Sequence, residues 1–144
     1  MNNLSVNIYS EIGKLKKVLL HRPGRELENL MPEYLDRLLF DDIPYLEIAQ
    51  QEHDAFANIF KENGIEVVYL EDLVVQSLVN DEIKSKFIDE YIEEAGIKQD
   101  RETGILKEYF LSFSNGKEMV YKMMEGIRRS EIKDYRGPGL TDFL

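Results

Sequence analysis

The sequence holds 144 residues, 43% hydrophobic and 32% charged, a balance that fits a folded globular chain and excludes a disordered or membrane-embedded one. Its formal net charge of -10 argues against a nucleic-acid or anionic-membrane partner, and no apolar run approaches the roughly 20 residues needed to span a bilayer. Cysteine is absent and the only histidines are His21 and His53, which excludes disulfides, thiolate zinc sites, a cysteine nucleophile within the chain and a histidine-rich metal site.

Met1 to Ser5 shows no basic segment followed by an apolar one, so no export signal is visible and a cytoplasmic location is expected. Glu11-Ile12-Gly13 reads as a turn into Lys14 to Leu20, whose apolar end, Val18 to Leu20, fits a strand buried on both faces. His21-Arg22-Pro23-Gly24 ends that strand with Pro-Gly turn chemistry. Arg25 to Met31 follows as a loop anchored by Leu27, Leu30 and Met31. Pro32 to Leu39 reads as a short helix, proline being tolerated in a first turn, with Leu35, Leu38 and Leu39 on one side. The chain then breaks at Asp41-Asp42, because Ile43 precedes Pro44 and is pushed out of the helical region.

Pro44 restarts a helix that runs to Asn63, with Ala49, His53, Phe56 and Phe60 as its apolar stripe and Gln50, Gln51, Asn58 and Lys61 mostly off it. Gly64 sits where a helix-ending glycine belongs, and Ile65 to Leu70 is a second strand. Strand, long helix and strand make a βαβ unit, expected to be parallel and right-handed.

From Glu71-Asp72 onward no strand signal appears. Asp72 can cap a helix over Leu73 to Leu78. Asn80 or Asp81 can cap a second, with Ile83, Phe87, Ile88, Tyr91 and Ile92 on one face and Gly96 as its stop. A third groups Ile105, Leu106, Tyr109, Phe110 and Phe113 and ends at Ser114-Asn115-Gly116. A fourth carries Met119, Val120, Met123, Met124 and Ile127. Four short amphipathic helices predict a small bundle, with the methionines as adaptable core filler. Arg136-Gly137-Pro138-Gly139 is a linker or sharp turn, and Leu140 to Leu144 trails off with apolar residues that have no obvious partner.

The boundary falls near Asp72, giving an α/β unit over 1–72 and a helical unit over 73–144. Residues 1–72 hold 14 acids and 7 bases, against 14 and 11 in residues 73–144, so the acidic excess lies in the first half. Two strands and one helix cannot cover a strand buried on both faces, and an isolated strand pair is marginal. The first half therefore reads as one piece of a larger sheet.

The run Ser10-Glu11-Ile12-Gly13-Lys14-Leu15, then Val18-Leu19-Leu20-His21-Arg22-Pro23-Gly24, then Leu35-Asp36-Arg37-Leu38-Leu39-Phe40-Asp41-Asp42 closely resembles the N-terminal part of bacterial arginine deiminases. The likeness continues through His53-Asp54-Ala55-Phe56 and Gly64-Ile65-Glu66-Val67, while the helical half agrees more in texture than in motif. The resemblance implies the incomplete first module of a five-fold α/β-propeller over 1–72, followed by an inserted helical bundle over 73–144. It also implies hydrolysis of L-arginine to L-citrulline and ammonia, in which a cysteine attacks the guanidinium carbon, a histidine handles protons and two acids hold the guanidinium. The resemblance implies that no metal or cofactor takes part.

The family's Phe-Thr-Arg-Asp motif, catalytic histidine and cysteine are expected beyond residue 144. The chain is therefore expected to carry no catalytic residue and to be inactive by itself. L-arginine is the partner expected for the complete enzyme. A homo-oligomer is also expected, since an exposed sheet edge invites self-association. A non-catalytic binding or regulatory module, naturally truncated, is the rival from another class. An amidinotransferase or agmatine deiminase is a third reading, against which the helical insertion and the Leu-Leu-Phe-Asp-Asp run speak.

Leu39 matches a family position lining the arginine pocket, beside the plainer reading of a core leucine at a helix end. Asp41 and Asp42 can attract a guanidinium through bidentate pairing, but capping the helix after Pro44 is the favoured reading. Glu11 lies in the family's Ser-Glu-x-Gly turn near the mouth of the site, with a surface turn as the alternative. His21 and His53 read as structural, and Lys14, Lys16 and Lys17 as a solvated strand entry.

Overall fold

The computed structural model describes residues 8–32, 35–38 and 41–132. Its elements, in chain order, are β1 (Lys17–Leu20), α1 (Leu35–Leu38), α2 (Leu46–Glu62), β2 (Glu66–Tyr69), α3 (Leu70–Ser77), α4 (Asp81–Glu94), α5 (Asp100–Leu111) and α6 (Gly116–Glu125). A single 3-10 turn, Arg129–Glu131, follows. The fold is mixed helix and strand, with one small parallel sheet and four helices after it. The predicted Arg136 to Gly139 turn and the Leu140 to Leu144 tail lie outside the described residues, as do Leu39 and Phe40 at the end of the predicted Pro32 to Leu39 helix.

β1 and β2 pair in parallel, Lys17 opposite Glu66, Val18 opposite Val67, Leu19 opposite Val68 and Leu20 opposite Tyr69. Valine, leucine and tyrosine suit a pleated, half-buried surface, which explains why these short runs become strands. Side chains in register share a face, so Val18, Leu20, Val67 and Tyr69 stand on one side and Lys17, Leu19, Glu66 and Val68 on the other. α2 covers the first side, where the His53 ring lies 6.0 Å from that of Tyr69. The second side is different. Lys17 pairs with Glu66 across it at 2.9 Å, and Leu19 is 54% exposed. The expectation of a strand buried on both faces is therefore corrected: the described residues supply one helical layer where two are needed.

α2 begins at Leu46, after an extended Tyr45 that makes no side-chain cap. Asp41 and Asp42 consequently do not cap it, contrary to the favoured reading; the Asp42 carboxylate accepts from its own neighbour, Ile43 N–H, at 2.8 Å. The buried side of α2 is also rotated from the predicted stripe. Ala57 is fully buried, whereas Phe56 is 51% exposed and stacks edge-on against Phe60. Gln50, expected off the stripe, turns inward and donates to the Pro23 carbonyl at 2.8 Å. Aromatic spacing misplaced the stripe: Ala57 is buried along with the partly buried His53 and Phe60, and Phe56 is not. The helix stops at Gly64, whose φ of +71° is open to glycine and strained for other residues.

α3 starts at Leu70, directly out of β2, so Asp72 lies inside its first turn rather than before it. The capping role assigned to Asp72 is thus corrected; its carboxylate instead meets Lys117 of α6. Asn80 does cap α4, accepting from Ile83 N–H at 2.9 Å, and Asn115 caps α6 by accepting from Lys117 N–H at 2.9 Å. Ile83, predicted on the apolar face of α4, is 41% exposed.

The core lies in the helical half. Ile88, Ile92, Leu106, Phe110, Met119, Val120 and Met123 form one buried cluster with Ile97, Ile127 and Ile132, and Met124 packs against it. Tyr91 closes it on one side: its hydroxyl donates to the Met123 carbonyl at 2.8 Å, and burial pushes its pKa up to about 12. Ala57 is the one buried hydrophobic residue among those described before Glu71. Phe110→Ala is therefore expected to lower unfolding stability by about 3–5 kcal/mol, and Leu19→Ala by less than about 1 kcal/mol. Urea unfolding followed by helical circular dichroism checks both.

Candidate functional site

In parallel α/β sheets, polar groups that converge at the carboxyl ends of the strands are the first place to look for chemistry. Here β1 ends at Leu20 and β2 at Tyr69, so His21, Arg22 and Glu71 project from that edge. Sequence reasoning singled out His21 but missed Glu71, whose partners lie 50 residues away in either direction.

Glu71 is 2% exposed, and its carboxylate bridges both halves of the molecule. Oε1 accepts from the Tyr121 hydroxyl of α6 at 3.1 Å, and Oε2 faces His21 Nδ1 at 3.4 Å. The other ring nitrogen, Nε2, lies 2.9 Å from Glu26 Oε1. A neutral imidazole donates from one nitrogen only, so His21 serves both carboxylates as donor only when doubly protonated. Burial and the Glu71 charge raise the Tyr121 phenol above its ordinary pKa. Glu26 Oε1 also accepts from Gly24 N–H at 2.6 Å. A Cβ on Gly24 would meet Glu26 Oε2 at 2.6 Å, the end of a flexible side chain that would have to turn aside.

Beside this cluster, Arg22 grips Asp54 of α2 with two parallel hydrogen bonds, from Nε at 2.8 Å and Nη2 at 2.9 Å. Those bonds hold the Asp54 carboxyl below its ordinary pKa and the Arg22 guanidinium above its own. The loop after Gly24 is fastened to the helical half as well. Asn29 Nδ2 donates to the Glu125 carbonyl at 2.7 Å, and Arg128 Nη2 donates to Asn29 Oδ1 at 2.6 Å. Lys117, anchored on Asp72, lies 5.7 Å from the Tyr121 ring centre. These contacts join β1, its following loop, α3 and α6 into one polar seam. Its acids and bases already face one another, and it holds neither cysteine nor a histidine with a ring nitrogen to spare.

The residues proposed from sequence lie elsewhere. Glu11 sits in an exposed bend in which Ser10 Oγ accepts from Ile12 N–H at 3.1 Å. Asp41 and Asp42 are exposed, and Leu39 lies outside the described residues. Next to the Asp42 loop is an open groove of about 510 Å³, lined by Ile43, Pro44, Tyr45 and Leu46 with Glu28, Glu47 and Gln50 at its polar edge. Asp42 does not line it. His53 lies under the sheet with Nε2 buried and without a hydrogen-bond partner among the described residues.

Two measurements test this seam. Glu71→Ala is expected to destabilise the chain by about 1–3 kcal/mol by leaving Tyr121 without its acceptor. Glu71→Gln, which keeps an acceptor, should cost less in the same thermal melts. For Arg22–Asp54 the sign follows from the lowered carboxyl pKa. The stabilisation is present above the ordinary carboxylate range and lost as pH falls through the depressed value. Melting temperature should therefore fall less steeply with acid in Asp54→Asn than in the parent chain.

The family model described as arginine deiminase matches residues 36–142. The chain is 56% identical over 139 residues to an arginine deiminase of Clostridium perfringens, covering 96% of this chain and 34% of that protein. It is 52% identical over 144 residues to the arginine deiminase of Streptococcus uberis, covering 99% of this chain and 35% of that one. A Streptococcus agalactiae relative is 52% identical over 141 residues. The chain spans about a third of the length of these curated relatives. Family-model coverage of most of the chain and identity above half together show that it belongs to the arginine deiminase family.

Proposed function

We propose that these 144 residues serve as the N-terminal part of an arginine deiminase, which hydrolyses L-arginine to L-citrulline and ammonia. One observation carries the reading: more than half of the residues are identical to a named arginine deiminase along nearly the whole chain, yet about two-thirds of that protein lies outside the match. The chemistry agrees. Displacing ammonia from a guanidinium carbon by the family route needs a thiolate, and this chain contains no cysteine. The nucleophile must come from sequence outside these residues, and the chain alone should be silent.

In this reading residues 1–72 are the incomplete first module of a five-fold α/β-propeller and 73–144 a helical insertion. The parallel strand pair with one uncovered face supports the first part, and the buried cluster around Phe110 the second. Leu39 would line the arginine pocket, with Glu11 at its mouth and Asp42 as a further carboxylate that attracts the guanidinium. The net charge of -10 suits a cationic substrate and disfavours nucleic acid or an anionic membrane. No described helix is long and apolar enough to cross a membrane. A cytoplasmic setting and a homo-oligomeric complete enzyme complete the proposal.

The test is citrulline release from L-arginine, with intact mass confirmed on the same sample. The purified chain is expected to release none. The chain joined to the remaining two-thirds of the Clostridium perfringens relative is expected to release citrulline, and Leu39→Ala in that joined protein to raise KM more than it lowers kcat. Release by the chain alone would overturn the cysteine route.

A further inference from the structure

The groove beside the Asp42 loop has a lining of one electrical sign. Its floor is apolar, from Ile43, Pro44 and Leu46, and its volume of about 510 Å³ suits a small organic ligand. The donors around it are already engaged. The Tyr45 hydroxyl donates to Glu47 Oε2 at 3.0 Å, and Gln50 Nε2 donates to the Pro23 carbonyl at 2.8 Å. The Asp42 carboxylate accepts from the Ile43 N–H, and Pro44 has no N–H to offer. What remains at the polar edge is acceptor: the carboxylates of Glu28 and Glu47 and the side-chain oxygen of Gln50. Glu28 is exposed and makes no ion pair among the described residues. Glu47 stands in the first turn of α2, where its charge answers the positive end of the helix and leaves no net attraction for an anion. The Tyr45 ring, 68% exposed, adds an open aromatic face.

We infer that this groove binds a small alkyl cation that carries no carboxylate, an alkylguanidinium being the simplest case. Charge complementarity selects the occupant. The N–H groups of a cationic head meet Glu28, Glu47 and the Gln50 oxygen, acceptors that the groove itself leaves without donors. The Tyr45 ring offers the same head a cation–π contact. An apolar stem then rests on Ile43, Pro44 and Leu46 and is removed from water there. A carboxylate on the ligand would face two glutamates with every lining side-chain hydroxyl and amide already committed, so a free amino acid is disfavoured even when its side chain is cationic. The inference stands on the lining of the groove and does not rest on the proposed enzyme.

Nuclear magnetic resonance titration of the purified chain tests this with n-butylguanidinium, L-arginine and the guanidinium ion, each carrying a single net positive charge. With n-butylguanidinium the amides of residues 43–47 and Gln50 and the Tyr45 ring are expected to shift, while signals around Phe110 stay in place. L-arginine should bind at least about threefold more weakly because of its carboxylate, and the guanidinium ion likewise for want of a stem. Glu28→Gln and Glu47→Gln should each weaken n-butylguanidinium by at least about threefold, the scale of an exposed charge pair. Glu108→Gln, which removes one charge from an exposed position of α5, should leave its affinity unchanged. Shifts scattered over the acidic surface, or equal losses in Glu108→Gln and Glu47→Gln, would overturn the inference in favour of general attraction to a chain of charge -10. Equal affinity for L-arginine and n-butylguanidinium would overturn it as well, since the groove would then accept a carboxylate. So would the absence of any shift at residues 43–47.

Discussion

The buried carboxylate of Glu71 holds the two halves of the molecule together. Removing a carboxylate from water is costly unless its oxygens are met by donors, and a buried ionic group left with a missing partner is strongly destabilising. Glu71 is met from both sides, by Tyr121 of α6 and by His21 at the end of β1. It stands at the second position of α3, immediately after β2, so any displacement of the helices against the sheet parts a carboxylate that water does not reach from the His21 ring. That requirement for satisfaction fixes orientation as well as contributing energy. The flanking contacts, Asn29 with Glu125 and Arg128, and Asp72 with Lys117, brace the same seam from the loop and from α3.

The apolar forces are distributed unevenly about that seam. The helices after Glu71 interlock their aliphatic, methionine and aromatic side chains into one cluster, and each fully buried member contributes about 1.5–3 kcal/mol. Before Glu71 the described chain relies on one covered sheet face, Ala57, and the Arg22–Asp54 clamp. Arg22 and Asp54 are 40% and 47% exposed, so solvent screening leaves that clamp more geometric than energetic. The polar seam therefore ties a weakly buried sheet to a well-buried bundle, and the bundle lends the sheet much of its order.

Much of this was legible in the residues. Local signals announce themselves within a few positions: the helical period placing Phe110 beside Leu106, the Asn80 cap, the glycine at Gly64, the strand character of Val67 and Val68. Errors arose where tertiary geometry decides. Phe56 has the right spacing for the α2 stripe, but its neighbour Ala57 is the residue that is buried, and no local pattern distinguishes them. Asp41 and Asp42 occur where a helix is about to begin, yet the extended Tyr45, three residues beyond Asp42, holds the cap position. Nothing within a few positions marks Glu71; its role depends on residues 50 positions away on each side.

The sequence resemblance and the packing bear on the same question by independent routes. The family-model match over residues 36–142 and the identity to named relatives identify a family whatever the neighbours of β1 are. The exposure of Leu19 leaves one sheet face open among the described residues whatever the family is. Here the open face lies before Glu71 and the buried core after it, while the family model spans parts of both. The helices after Glu71 bury their own apolar residues locally, in the cluster around Phe110.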